Sequence, residues 1–223
     1  MGEKTLLQDK KDWTRKSILT AAKSVFWERG YAQTTMEKIA QAARVSKGAI
    51  YLYFPSKDDL FLALLIPMIQ DLGKLFEQLK EKVAHDPQIK GQDVVMGFYL
   101  CFKKIYDDDP DVFSIMRAFQ IGVLTTDMAE QSAAEINRMA KKNSKTGRDI
   151  IVQAIENRLI REVNPALLYN MFWGTFIGIV QLEESKFRAT RKNYIFSTLE
   201  YAFSSMVDHL CTGIKGKRRT RLA

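Results

Sequence analysis

The residues of this 223-residue chain that could do chemistry are hydrogen-bond donors and cations rather than nucleophiles. They are concentrated between Thr34 and Lys57, in TTMEKIAQAARVSKGAIYLYFPSK. Ser46 and Lys47 offer donors at the start of a short helix, where the backbone dipole also favours a phosphate. Gly48 has no side chain, so a nucleic acid can approach the backbone closely there. Tyr51 and Tyr53 can give hydroxyl hydrogen bonds to phosphates, contacts that position a protein without reading sequence. Lys57, at the next helix start, can do the same. Together with Thr35, Arg44 and Ala49, these residues make up a candidate DNA-binding set.

Such a set works only if short helices hold it in place, and the local sequence spells out their starts. Thr34 and Glu37 have the spacing of a capping box, Ser46 can cap the following helix, and Ser56 with Asp59 repeats the pattern. Ile39, Ala40, Ala43, Val45 and Ile50 supply an apolar face, and Ala40 is small enough for two helices to cross closely. Two short helices around a three-residue corner describe a helix-turn-helix, whose second helix enters the major groove. The motif is predicted at about 34–54, inside a DNA-binding domain of residues 1–60.

Elsewhere the periodicity is helical and no alternating strand is found. The predicted fold is all-α, with about nine helices. They span Lys10 to Arg29, Thr35 to Ala43, Lys47 to Phe54, Lys57 to Ala84, Gln92 to Tyr106, Asp111 to Leu124, Asp127 to Ile160, Pro165 to Ser185 and Thr190 to Cys211. Asn143 to Gly147 is a candidate break in the seventh. Residues 61–213 would form a larger domain, and 214–223 a basic disordered tail.

The net charge of +8 is distributed unevenly. Residues 1–60 hold eleven basic and seven acidic side chains, and residues 214–223 hold five basic and no acidic ones. The long middle is close to neutral. Lys4, Lys10, Lys11, Arg15 and Lys16 lie before or in the first helix, within reach of a DNA backbone. Lys215, Lys217, Arg218, Arg219 and Arg221 would add salt-dependent affinity even without a specific contact.

Several function classes find no support. Cys101 and Cys211 are too few for a disulfide-dense secreted scaffold. His85 and His209 are the only histidines, so no His-rich metal site or triad is expected. There is no Gly-rich phosphate loop or nucleophile elbow. Asp107 to Asp111 lacks the spacing and glycine of a calcium loop and reads as one helix ending and the next beginning. Val163 to Leu182 carries no charged side chain and is about long enough to span a bilayer. Asn164, Pro165, Asn170, Thr175 and Gln181 interrupt it, and a buried soluble helix is the expectation. The start lacks a signal-peptide core, which favours the cytoplasm. No cofactor, metal or membrane partner is expected. A helical enzyme or an interaction module without DNA binding remains the alternative.

Residues Ile18 to Lys57 resemble the DNA-binding domain of the tetracycline-repressor (TetR) family of bacterial regulators. The resemblance is carried by Ile18-Leu19-x-Ala21-Ala22, Phe26, Gly30-Tyr31, Thr34-Thr35, Ile39-Ala40, Ala43, Val45-Ser46-Lys47-Gly48, Tyr51-x-Tyr53-Phe54 and Ser56-Lys57. Arg44 departs from it, standing where the family often has glycine at the corner. If φ there is positive, the arginine is strained.

The resemblance implies a homodimer on a near-palindromic double-stranded operator, repressing transcription until a small-molecule effector fills a cavity in the larger domain. The effector would be largely hydrophobic: a fatty acid, an acyl thioester or an aromatic compound. Candidate walls are Phe98, Phe102, Met116, Trp173 and Phe176, joined by Met96, Phe113 and Phe119, with Arg117, Gln120 and Gln181 orienting the ligand. The last two long helices would form the dimer interface through Leu168, Phe172, Gly174 and Gly178 on one, and Ile195, Leu199, Phe203 and Met206 on the other. The helix from Lys57 to Ala84 would link effector and DNA.

Overall fold

The structure, a computed structural model, describes residues 2–120, 128–190 and 194–211. Inside the helices it leaves out the side chains of 2–7, 119–120 and 187–190. Lys4, Phe119, Gln120, Leu124 and the basic tail therefore lie outside what is described. Among the described residues the chain forms nine helices and no strand: α1 (Gly2–Arg29), α2 (Met36–Ala42), α3 (Lys47–Tyr53), α4 (Lys57–His85), α5 (Gly91–Asp108), α6 (Pro110–Gln120), α7 (Glu130–Glu156), α8 (Pro165–Thr190) and α9 (Ile195–Cys211).

The helices group into two compact units, Met1–Gln70 with Asp108–Ala140, and Asp71–Asp107 with Lys141–Ala223. This differs from a boundary at residue 60, because α6 belongs with the N-terminal helices. Asp109 explains why. Its carboxylate caps α6 by accepting from the Val112 N–H at 3.1 Å, and it also pairs with Lys23 of α1 at 3.0 Å. The acidic run Asp107 to Asp111 is thus a helix end followed by a helix start.

In the first unit α1 begins at Gly2, eight residues earlier than expected, since residues 3–9 contain neither glycine nor proline. Ile18, Ala22, Phe26, Ile39, Ala40, Ile50 and Phe54 form its core. Phe26, Tyr31 and Phe61 pack ring on ring, with centroids 5.0 to 5.8 Å apart. Aromatic pairs in such geometries contribute beyond the area they bury.

In the second unit the core is also aromatic. Phe76 of α4 meets Phe98 of α5 at 5.5 Å, Phe98 meets Phe172 of α8 at 5.0 Å, and Phe172 meets Phe203 of α9 at 5.7 Å. The candidate break in α7 does not occur; the helix runs through it. Asn143 is buried, and Gly147 lies so close to Tyr169 that a Cβ would come within 2.4 Å of the ring. The glycine is there for close packing, not as a helix end. Asn164 caps α8 by accepting from the N–H groups of Ala166 and Leu167 at 3.0 and 3.1 Å.

Candidate nucleic-acid interface

The caps of two seven-residue helices position the candidate residues. Thr35, not Thr34, is the N-cap of α2, accepting from the Lys38 N–H at 3.3 Å. Thr34 is buried, and its hydroxyl donates to the Gly30 carbonyl at 2.6 Å. The two adjacent threonines divide the work, one tying α2 back to α1 and the other starting it. Ser46 caps α3 as its position predicts, accepting from the Ala49 N–H at 3.1 Å. Ser56 and Asp59 form the reciprocal pair at the start of α4, at 2.7 and 3.1 Å.

The corner between α2 and α3 is a Schellman turn. The Arg44 N–H reaches the Gln41 carbonyl at 3.1 Å, and the Val45 N–H reaches that of Ala40 at 3.0 Å. This closure requires a left-handed residue at 44, and Arg44 has φ 56°. The strain expected from an arginine at the corner is therefore present. Arg158 closes α7 in the same way at φ 55°.

Ile50 of α3 and Phe54, its C-cap, face the core, and Arg15 of α1 lies over the Phe54 ring at 5.3 Å. The opposite face is open. Lys47, Gly48, Tyr51 and Leu52 are exposed, while Ala49 and Tyr53 are half-buried. The residues a groove would meet are thus two donors and two groups that can form no polar contact through a side chain. Leu52 was not among the sequence candidates. Its signal was available, since it sits two residues from both Ile50 and Phe54 and so on the far side of a 3.6-residue helix.

Glu37 was also missed. Its carboxylate pairs with the Lys47 ammonium at 2.6 Å across the corner. The hydrogen bond from Lys47 holds the Glu37 carboxyl below its ordinary pKa, and the same bond raises that of Lys47. Both are charged at neutral pH, so a phosphate must compete for Lys47 with a carboxylate already in place. Lys57 is drawn into the domain instead. Its ammonium donates to the Tyr31 carbonyl at 3.0 Å and lies 4.0 Å from the centre of that ring. Its first role is to hold the turn after α1.

The ligand candidates are placed unevenly. Phe98, Phe102, Trp173 and Phe176 meet in the second unit, with Phe102 at 5.0 Å from Trp173 and 5.5 Å from Phe176. Gln181 is exposed on α8 and does not join them. Met116 and Arg117 stand on α6, in the first unit.

The interface candidates require a correction. Leu168, Phe172, Ile195, Leu199 and Phe203 are buried within their own chain, as core between α5, α8 and α9. Met206 is half-buried. Gly174 and Gly178 do face outward, and a Cβ at either would meet nothing within 4 Å. The open face of α8 consists of these glycines with Leu167, Met171 and Leu182, which are 68%, 43% and 52% exposed. On α9, Tyr201 is 77% exposed. By length and composition α8 could cross a membrane, and 28% of its most apolar window is buried.

Residues 18–64 match the family model of the bacterial regulatory proteins of the tetR family. A fatty acid metabolism regulator protein of Bacillus subtilis is 42% identical over 68 residues, 30% of this chain and 35% of that protein. The alignment thus spans about a third of that relative's length. The regulator PfmR of Thermus thermophilus superposes with TM-score 0.65 at 16% identity, over 91% of this chain and 96% of its own. The regulator FadR of Bacillus subtilis, solved with stearoyl-CoA, gives TM-score 0.60 at 21% identity, over 90% and 99%. These proteins are regulators, and the family match falls on the helix-turn-helix segment of this chain.

Proposed function

With a tetR-family DNA-binding domain at residues 18–64 and the fold of tetR regulators over most of its length, the chain is a member of that family, and we propose that it is a ligand-responsive repressor. Two copies bind a near-palindromic operator, and a small, largely hydrophobic effector releases them. The carrying observation is α3 itself. Ser46 caps it, Ile50 and Phe54 fasten one side, and the other side stands open with Lys47, Gly48 and Tyr51. The net positive charge of residues 1–60 supports a phosphate-rich partner.

One seven-residue helix reads too few base pairs to select a genomic site. A two-fold dimer sets two such helices about 34–36 Å apart, one turn of DNA. The open stripe of α8 supports the pairing, because Gly174 and Gly178 let a second helix approach between Leu167, Met171 and Leu182. Thr175 and Gln181 beside it suit a helix–helix contact better than a lipid one.

For the effector, Phe98, Phe102, Trp173 and Phe176 pack on one another, so a ligand entering among them would have to part the rings and be apolar itself. The stearoyl-CoA bound by the Bacillus subtilis structure makes a long-chain acyl thioester the first compound to try. Release is a population shift, so the effector must bind the form that does not hold DNA more tightly. α4 starts four residues after α3 and runs on into the second unit, which suits it to carry the change. A cytoplasmic location follows from this role.

The test is a gel-shift titration of the full chain against random duplexes and against fragments from beside its own gene. A shifted fragment that long-chain acyl-CoA releases at micromolar concentration is the expected result. A chain that binds no duplex above the non-specific level at low salt would refute the reading.

A further inference from the structure

We infer that Gly48 and Leu52 form a notch on α3 that takes the C5-methyl group of a thymine, so that Leu52 reads a base. The inference rests on the DNA-binding reading above and goes further by assigning a residue and the base it recognises.

Two separate oddities meet at this notch. Leu52 is 86% exposed, the most exposed large apolar side chain among the described residues. It lies two positions from both Ile50 and Phe54, which are buried, and so points away from the domain core. Gly48 is equally unexplained from within. A Cβ there would meet nothing within 4 Å, and its φ is not in the left-handed region. Neither packing nor backbone conformation asks for glycine, and helix propensity argues against it.

The two positions are one turn apart, on one face. Helical side chains lean towards the N-terminus, so Leu52 reaches back over the turn that begins at Gly48. The glycine supplies a gap and the leucine an apolar wall beside it. Lys47 and Tyr51, also one turn apart, flank the notch with donors. A phosphate would find no donor side chain in the notch and would be held by those flanks. In the major groove thymine alone presents a methyl group, and apolar side chains are the contacts that suit it.

The experiment begins with selection of duplexes by the full chain from a random library. Each thymine of the selected half-site is then replaced in turn by deoxyuridine, which removes only the methyl. Wild type and Leu52→Ala are titrated against every duplex, with thermal melts to show that the exposed substitution leaves the fold intact. One replacement per half-site should weaken wild-type binding about fourfold per methyl removed. Leu52→Ala should bind the thymine duplex about as weakly as wild type binds the deoxyuridine one, and should not respond to the exchange. A wild type indifferent at every thymine, a selected half-site without thymine, or a Leu52→Ala chain that keeps the full methyl preference would overturn the inference while leaving DNA binding standing. If no duplex is enriched at all, the DNA-binding reading fails and this one falls with it.

Discussion

Glu37 and Lys47 oppose each other at the residue scale. The proposed phosphate contact of Lys47 predicts that Lys47→Ala weakens operator binding and lowers the salt slope by about 0.9 for each phosphate no longer neutralised. The pair is solvent-exposed, so the melting temperature should hardly move. Glu37→Gln leaves the lysine in place and removes its competitor, and should tighten binding a few-fold at low salt. Titrations at several salt concentrations decide both; a Glu37→Gln chain that binds more weakly would make the carboxylate a positioning group instead. Cys101 offers a pH prediction. Burial pushes its thiol from an ordinary 9.0 up to about 12. The unfolded chain therefore loses this proton first, and folding stability should decline as pH rises from about 9 towards 12. Denaturant melts across that range should show a shallower decline for Cys101→Ala. An alkylating reagent at pH 8 should modify half-exposed Cys211 while sparing Cys101.

At the scale of elements, caps and corners fix where the helices start and stop. The Schellman turn at Arg44 predicts that Arg44→Gly stabilises the chain by about 1 kcal/mol, net of the extra freedom glycine gives the unfolded state. Arg158→Gly should do the same, because the geometry is repeated at α7. Only the first should change the salt dependence of DNA binding, which distinguishes an arginine at the interface from one far along the chain. Ser46 was legible because N-capping is a local property, decided by one side chain and the N–H three residues on. Thr34 and Thr35 were harder, since either could cap and only the contact with Gly30 decides between them. Glu37 was hidden because its partner lies across a corner, where spacing along a helix says nothing. In α8 periodicity misled for a physical reason. The helix is apolar on both sides, so two stripes pass the same test, and only α5 and α9 show that the one through Leu168 and Phe172 is the inner one.

At the scale of the whole molecule, that inner stripe moves the expected dimer contact to the outer one. Met171→Glu together with Leu182→Glu should leave the monomer folded, as both side chains are exposed, and should abolish association. Sedimentation should then show one chain per particle, and operator affinity should fall steeply because one recognition helix remains per particle. A double variant that sediments as wild type would place the contact elsewhere. Gly174→Ala separates the two effects further. It should raise thermal stability of the isolated chain by about 1 kcal/mol, and it should weaken pairing if helices cross there.

Gly48 has a consequence for the history of the chain. Nothing inside the protein holds it, and alanine there would make the free domain more stable by about 1 kcal/mol. If the proposed notch reads the operator, a lineage that depends on that contact forgoes the gain. A lineage that has abandoned the operator can accept alanine in a single step, while Ser46, Ile50 and Phe54 remain fixed by folding. Among descendants of this protein, position 48 should therefore be the first to drift once regulation is lost, with the fold still intact around it.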